Sequence, residues 1–374
     1  MATVHPRAMA LSQRRVLIGE KGICLLLCMI AYFASFCHSV FVSPPSPQTL
    51  LRHAKVPAFL VTNLVNIRYL TGTDVSAGAV LVTPRRLLFF VDPRYREVAA
   101  NSASSCTVCD LRDLKRMLAR IPLCGCEAES VTLAQKQRWK SQFRPTKFLP
   151  KSGVLEYFRR SKNSKELKLF RTAQKITQEI LRRVPAALRG PVSERELAWK
   201  LHAWARELRA DQQMAFDPIV AFGMHTSRPH HHPTTRTLKK GDIVQVDTGA
   251  RVGGYCADQS RVFFTGTKTP AEERALAAVE EAKHAAERLV RTGASTHELD
   301  RAARAVLQKH GMEDAFAHSL GHGVGLEIHE GVTLSQLRPE EHLLSQEIVT
   351  IEPGVYFPGK FGIRLEDEVV VSGD

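Results

Sequence analysis

The spacing of apolar and polar residues predicts a small α/β region followed by a larger region of helices and strands. Short apolar runs bounded by turn residues predict strands over 58–62, 79–83 and 87–91, with a helix beginning at Arg94. Farther along, apolar residues recur at helical spacing. These stretches predict four amphipathic helices, over 166–183, 194–208, 272–291 and 298–310. The chain therefore combines helices and strands in two parts.

Three of these helices are predicted to begin with a capping box, in which a polar residue is followed three positions later by Glu. The pairs are Asn163 with Glu166, Ser193 with Glu196, and Ser295 with Glu298.

A predicted hairpin in the C-terminal third places two aspartates opposite one another. The strands are 242–247 and 255–264, and the glycines within 251–254 suit a tight turn. Folding the hairpin about the middle of that turn sets Asp247 opposite Asp258. Opposed residues lie roughly 5 Å apart, and like charges there are destabilising.

A second predicted hairpin repeats this arrangement with two glutamates. Strands over 347–356 and 363–372, folded about Gly359, set Glu352 opposite Glu366. Both hairpins are apolar enough to be core, and a buried ionised carboxylate is costly unless it is paired or binds a metal. The sequence therefore predicts a cation site.

Histidines add a nitrogen ligand to these carboxylates. His322 lies between glycines, which allow the backbone to approach a site closely, and His318 is four residues earlier. Whether His318 serves the site or only packs is left open. A mostly carboxylate site with one imidazole suits Mn²⁺, Fe²⁺, Co²⁺ or Zn²⁺.

From about residue 55 to its end, the chain resembles the Xaa-Pro peptidases, the prolidase and aminopeptidase P group. The catalytic part of the resemblance rests on segments 216–223, 229–230, 240–249, 254–261, 321–325, 351–356 and 362–367. Segments 66–72 and 91–95 resemble the N-terminal domain of creatinase and prolidase relatives, which methionine aminopeptidases generally lack. The implied fold is α+β: a pita-bread domain, with a curved antiparallel sheet covered by helices, preceded by a smaller creatinase-type α/β domain.

The resemblance also implies roles for individual residues. Asp247 binds one metal, His322 and Glu352 bind a second, and Asp258 and Glu366 bridge the two. The implied cofactors are two divalent ions, Mn²⁺ first, with Co²⁺, Zn²⁺ or Fe²⁺ as alternatives.

Further roles are implied for residues around the metals. His230 and His329 grip the substrate without binding metal, Arg364 orients a ligand carboxylate, and Glu352 also transfers a proton. The implied reaction is attack of a metal-bridging hydroxide on the peptide bond before proline.

Several functions stay open at this point. Xaa-Pro dipeptidase and Xaa-Pro aminopeptidase are close alternatives, and the short N-terminal region favours the dipeptidase slightly. The other hypotheses are a methionine aminopeptidase-like enzyme, a metal-free pita-bread binding protein and a creatinase-type hydrolase. The last two are disfavoured because all five ligand positions are filled. The expected partners are peptides with proline second and another copy of the chain in a homodimer.

Some positions depart from the family pattern. His225 stands where relatives usually have Asn, and His231 and His232 are expected to be solvated loop residues. Relatives usually run beyond the position of Asp374, so a final edge strand is expected to be missing.

The charge and the cysteines do not change this interpretation. The 374 residues carry a net charge of +14, but the basic residues are spread out and form no nucleic-acid recognition motif, so no nucleic-acid partner is expected. The pairs Cys106/Cys109 and Cys124/Cys126 resemble half-sites of a zinc clip, although the second spacing is too short. Eight cysteines without a disulfide framework favour the cytoplasm.

The domain boundaries predicted are a leader over 1–47, an N-terminal domain over 48–155 and a catalytic domain over 156–374. Within the leader, residues 22–42 are apolar over about the length of a membrane span. A cytoplasmic enzyme is expected, and one alternative is that translation starts at Met29 and the leader is not made. If the leader is made, export of the catalytic body is expected, with membrane contact only if residues 22–42 are retained.

Overall fold

The computed structural model describes residues 44–103 and 105–372. Its N-terminal part is built on one mixed sheet with helices on both faces. The elements are α1 (Pro47–Ala54), β1 (Phe59–Val61), α2 (Leu64–Thr71), β2 (Gly78–Val82), β3 (Leu87–Val91), α3 (Arg96–Ser102), β4 (Cys106–Asp110), α4 (Leu114–Leu118), β5 (Leu123–Glu127), α5 (Leu133–Gln142), β6 (Lys147–Lys151) and α6 (Val154–Arg160).

The strands of this sheet lie in the order β4-β3-β2-β1-β5-β6. The pairs β1/β2 and β2/β3 are antiparallel, and the other three are parallel. Neighbouring residues enter different cores: Phe59 and Phe89 pack on one face, Leu60 and Phe90 on the other. Burial on both faces explains why these strands are continuous apolar runs instead of alternating patterns.

The larger part contains short antiparallel strand pairs and four long helices. Its elements are α7 (Ser164–Ala187), α8 (Glu194–Glu207), β7 (Ile219–Phe222), β8 (Ile243–Thr248), β9 (Arg251–Val252), β10 (Tyr255–Cys256), β11 (Gln259–Phe264), α9 (Pro270–Glu287), α10 (Thr296–Lys309), β12 (Gly321–His322), β13 (Thr333–Leu334), β14 (Ile348–Ile351), β15 (Gly354–Phe357), β16 (Phe361–Arg364) and β17 (Asp367–Val370).

The helices of this part cover the strands in two cores. Helices α7 and α8 pack with β7 and β8, through side chains such as Leu201 and Phe222. Helices α9 and α10 pack with β14, β15 and β16, through side chains such as Leu299 and Ile351. The strands are therefore backed by apolar side chains, which leaves the site residues to face a cleft.

The four predicted helices are present, each within a few residues of its expected bounds. Both Asn163 and Ser193 form complete capping boxes with their glutamates. Ser295 accepts hydrogen bonds from the backbone of His297 and Glu298. Strands β4, β5 and β6 and helix α5 were not predicted. Helix α5 buries only Trp139, and β6 has no fully buried residue, so neither carries a clear apolar period.

The first hairpin is shifted from its predicted register, which is a correction. Asp247 lies opposite Ser260 and not opposite Asp258. Gly253 and Gly254 have φ of 55° and 87°, as a type I′ turn requires at both central residues. The turn is therefore centred between these two glycines, one residue later than the middle of 251–254, and the pairing moves by two residues.

The second hairpin has the predicted register but not the predicted continuity. Gly354 pairs with Arg364 and Ile351 with Asp367, which sets Glu352 opposite Glu366. Each long strand expected here is broken into two, at Glu352 and at Glu366. The predicted strand over 255–264 is likewise broken, at Asp258.

The cysteine pairs lie apart. Cys106 and Cys109 are on β4, whereas Cys124 and Cys126 are on β5, with three strands of the sheet between them. A zinc clip joining the two pairs is therefore excluded.

The apolar segment 22–42 lies outside the described residues. Within the described part of the chain, no helix is both long enough and apolar enough to cross a membrane. The fate of the leader and the cytoplasmic location stay predictions.

The glycine turn gives a test of the observed register. Replacing Gly254 with Ala forces an unfavourable positive φ and brings a Cβ to 2.5 Å from the Arg68 guanidinium. We expect a loss of about 1–3 kcal/mol in the free energy of unfolding, measured by urea denaturation. Gly190→Ala is the matched control, because nothing lies within 4 Å of its Cβ and its φ is not positive. Equal stability of the two variants would contradict the turn assignment.

Candidate active site

A cleft of about 510 Å³ opens beside the broken strands. All eight residues given a role by the sequence analysis line it: Asp247, Asp258, His322, Glu352 and Glu366, with His230, His329 and Arg364. The structure thus gathers the predicted residues, from segments up to 136 positions apart, along one surface.

The predicted metal ligands lie close together at the floor of the cleft. One ligand atom from each of Asp258, His322 and Glu366 lies within 4.8 Å of the others. The Nε2 atom of His322 is 3.5 Å from Asp258 Oδ2 and 3.5 Å from Glu352 Oε1. Asp247 joins the group from β8. Oxygen and nitrogen atoms are thus grouped as a divalent ion requires.

The strand breaks are what bring these side chains together. Asp258, Glu352 and Glu366 each occupy a gap between two short strands, where the backbone leaves the ladder. The freed amides are held elsewhere. That of Glu352 donates to Leu320 O at 2.8 Å, and that of Glu366 donates to Ser260 O at 3.2 Å. A continuous ladder would have constrained these residues to strand geometry.

The carboxylates of the cluster are buried and repel one another. Burial, followed by repulsion from neighbouring carboxylates, raises the pKa of Asp258 and of Glu366 well above the ordinary value. Burial also raises the pKa of Glu352 to about 8, although Arg364 opposes the rise. Without cations, protons must therefore neutralise part of this cluster at neutral pH.

Unpartnered oxygens indicate that the residues fit divalent metal. Asp247 Oδ1, Asp258 Oδ1 and Glu366 Oε1 are buried and have no hydrogen-bond partner within the described part of the chain. Leaving such an atom buried and unsatisfied costs about 1–3 kcal/mol or more. Divalent cations would satisfy all three. Burial and the neighbouring His329 lower the pKa of His322 to about 3, so its ring is neutral, as a metal ligand must be.

Arg364 contacts the cluster from behind. Its guanidinium donates to Asp247 Oδ2 at 2.5 Å, to Ser260 Oγ at 2.9 Å and to the Tyr356 hydroxyl at 2.9 Å. The Tyr356 hydroxyl in turn lies 2.9 Å from His318 Nε2. His318 therefore belongs to the network behind the site, which resolves the alternative left open for it.

His230 and His329 are exposed on the cleft walls, where a ligand can reach them. The His329 ring packs edge-on against that of His322, with centroids 4.2 Å apart. Burial of part of the ring, and then His230, lower the pKa of His329, so its imidazole is neutral at pH 7. A neutral ring can either donate or accept a proton near the metal ligands.

His231 is buried, which corrects the expectation of a solvated loop residue. Its Nε2 lies 2.9 Å from Glu194 Oε2, and His225 Nδ1 lies 2.8 Å from Glu194 Oε1. Glu194 also accepts from Phe222 N and from the Thr234 amide and hydroxyl. Although this trio has ligand-type atoms, five donors already saturate the carboxylate. It anchors the segment that carries His230.

Glu368 is a buried residue to which the sequence analysis gave no role. Its carboxylate accepts from Asp258 N at 2.6 Å and from Gln259 Nε2 at 2.9 Å. Burial raises its pKa to about 7. Since residues two apart on a strand share a face, its spacing from Glu366 could have revealed it.

Comparison with known proteins identifies the family. The model of "Metallopeptidase family M24" matches residues 168–373. The chain belongs to this family. The model of "Creatinase/Prolidase N-terminal domain" matches residues 47–161. The predicted family and the predicted fold, a creatinase-type domain followed by a pita-bread domain, are thereby confirmed, and the protein is a metallopeptidase by family.

Individual relatives cover most of this metallopeptidase. A putative dipeptidase of Bacillus subtilis is 35% identical over 262 residues, 70% of this chain and 71% of the relative. The solved structure of an Xaa-Pro dipeptidase from Bacillus anthracis is 30% identical, with a TM-score of 0.82 over 87% of this chain and 93% of the other. An X-Pro aminopeptidase from Thermotoga maritima is also 30% identical, with a TM-score of 0.81 over 87% and 95%.

The raised pKa values predict that folding stability depends on pH differently with and without metal. In the metal-free protein, the folded state keeps a proton on Glu352 up to about pH 8, whereas the unfolded chain loses it near 4.5. Folding stability therefore falls as pH rises from about 4.5 through 8. With Mn²⁺ bound, the folded carboxylates are ionised, so this decline disappears. Thermal melts of chelated and of Mn²⁺-loaded protein across that pH range measure the decline. If the melting temperature changes with pH in the same way in both samples, the assignment of these carboxylates as metal ligands is contradicted.

Proposed function

We propose that this metallopeptidase is a dinuclear-metal hydrolase that cleaves the peptide bond before proline. The observation that carries the proposal is the buried cluster of four carboxylates and one imidazole with three unpartnered oxygens. Two divalent cations would offset the negative charge of this cluster more fully than the described side chains around it do.

We assign the ligands as the resemblance implied. Asp247 would hold one ion, His322 and Glu352 would hold the other, and Asp258 and Glu366 would be shared between the two. When bound, two such ions supply an activated water nucleophile and polarise the scissile carbonyl. The donor set favours Mn²⁺, with Co²⁺, Zn²⁺ and Fe²⁺ as alternatives that availability decides.

The side chains around the ions handle the proton and the developing charge. Glu352 accepts a proton from the attacking water and delivers it to the leaving nitrogen, acting first as general base and then as general acid. His329 and His230 donate to the oxygen that becomes negative in the transition state. Arg364 holds Asp247 in one orientation through the hydrogen bond to its Oδ2.

The cleft suits a prolyl substrate. Phe216, Pro218, Ile219 and Ile328 supply apolar walls next to the acidic floor. The bond before proline is a tertiary amide without an N–H, so a protease that grips that N–H handles it poorly. A site that relies on metal ions and histidines does not need it. Similar proteins are named both Xaa-Pro dipeptidase and X-Pro aminopeptidase, so we propose this pair of activities.

Hydrolysis of two matched peptides tests the substrate class. We expect metal-dependent release of proline from Ala-Pro, restored by Mn²⁺ after chelation. Cleavage of Ala-Pro but not Ala-Pro-Ala would establish a dipeptidase, and cleavage of the tripeptide at its first bond an aminopeptidase. If neither is cleaved but Met-Ala-Ser is, the methionine aminopeptidase alternative replaces the proposal. Bound metal without cleavage of any of the three would also contradict it.

A substitution at the proposed bridging position tests the metal assignment. Asp258→Asn keeps the shape of the side chain but removes the charge that both ions share. We expect less than one metal ion per chain by mass spectrometry and at least a 10³-fold loss of kcat. Asp217→Asn is the matched control, because Asp217 is an exposed acid lining the same cleft outside the cluster. Wild-type metal content in the Asp258 variant would refute the bridging role.

A further inference from the structure

A second buried ionic cluster lies directly behind His329. The carboxylate of Glu330 is held by two cations, with Arg159 Nη2 at 2.5 Å from its Oε2 and Lys162 Nζ at 3.0 Å from its Oε1. The side chains of all three are nearly inaccessible, at 4%, 2% and 1% exposure for Glu330, Arg159 and Lys162. The mechanism proposed above uses none of them.

The two cations connect distant parts of the chain to the segment that carries His329. Arg159 lies in the last turn of α6, and Lys162 precedes α7. Arg159 also donates to Asn66 Oδ1 on α2 at 2.9 Å and to Glu327 Oε2 at 2.6 Å. The cluster thus ties the N-terminal sheet region to both sides of His329, at positions 327 and 330.

The Glu330 carboxylate also determines the backbone of this segment. A Cβ at position 325 would lie 1.9 Å from Glu330 Oε1, so only glycine fits there. The amide of Glu330 donates to Gly323 O at 2.9 Å, and that of Gly325 donates to Glu327 O at 3.0 Å. The segment between the ligand His322 and His329 is therefore folded around one carboxylate.

Stability alone does not account for this cluster. Removing charges from water costs several kcal/mol per ion, and well-packed apolar residues often serve as well or better. The exposed His329 ring packs edge-on against the His322 ring. The backbone from which it extends is held by the amide and the carboxylate of Glu330, which therefore constrain the orientation of the ring.

We infer that Lys162 and Arg159 are positioning residues that orient His329 toward the metal ligands by clamping Glu330. The inference rests on the proposed function for its effect on turnover, since His329 acts there as a donor to the substrate. The structural part of the inference, that these residues place the His329 ring, does not depend on the proposed function.

Lys162→Met is the decisive variant, because it matches the shape of lysine and leaves a neutral Arg159–Glu330 pair. We expect unchanged metal content and KM and a kcat lowered by about 10-fold, compared with about 10²–10³-fold for His329→Ala. Lys165→Met is the matched control, an exposed lysine three residues away, and should leave kcat unchanged.

The double variant separates positioning from general damage. If Lys162 acts through His329, adding Lys162→Met to His329→Ala should lower kcat by less than 2-fold further. A full additional 10-fold loss would mean that Lys162 acts elsewhere and would overturn the inference. So would a Lys162→Met variant with wild-type kcat.

A measurement that does not depend on peptide cleavage tests the inference separately from the proposed function. The imidazole ¹⁵N signals of His329, assigned by their loss in His329→Ala, should shift in Lys162→Met and stay in place in Lys165→Met. Unchanged signals would overturn the inference even if the enzyme is a prolyl peptidase. Shifted signals would support it even if Xaa-Pro peptides are not cleaved. If Lys162→Met does not fold, Arg159→Met, which leaves a neutral Lys162–Glu330 pair, is measured in the same way.

Discussion

Mutual repulsion among buried carboxylates is the constraint on which the site depends. Asp247, Asp258, Glu352 and Glu366 converge there, and burial together with neighbouring carboxylates disfavours the ionised forms of Asp258, Glu352 and Glu366. Only Asp247 has an arginine partner in the cluster, through Arg364. The charge that remains must be neutralised by protons or by metal ions, and the unpartnered oxygens are placed for metal ions.

The fold accommodates this group by interrupting its strands. Each break frees a carboxylate from strand geometry, while hydrogen bonds elsewhere hold the released backbone. Around the site, single buried groups hold whole segments. Glu194 anchors the segment with His230, Arg364 joins β16 to β8, and Glu330 holds the segment with His329. The histidines can therefore remain exposed to substrate and still be fixed in position.

Much of this architecture could be predicted from sequence, because the helices are amphipathic, capped and long. The acids were recognisable because charges stand out within apolar runs. The first hairpin register was wrong by two residues, since the position of a two-glycine turn depends on φ values that composition does not reveal. Glu368, His231 and Glu330 were missed for a different reason: their partners Asp258, Glu194 and Lys162 are distant in sequence, so the local pattern does not reveal the contacts that bury them.

The central claim is that two metal ions hold these carboxylates together, and a crystal structure of the Mn²⁺-soaked protein tests it most directly. Anomalous difference maps at the manganese edge should show two peaks about 3.5–4 Å apart, with Asp258 and Glu366 contacting both. One peak, or none, at saturating Mn²⁺ with the carboxylates still clustered would contradict the account, since protons would then neutralise part or all of the charge that we assign to a second metal ion or to both.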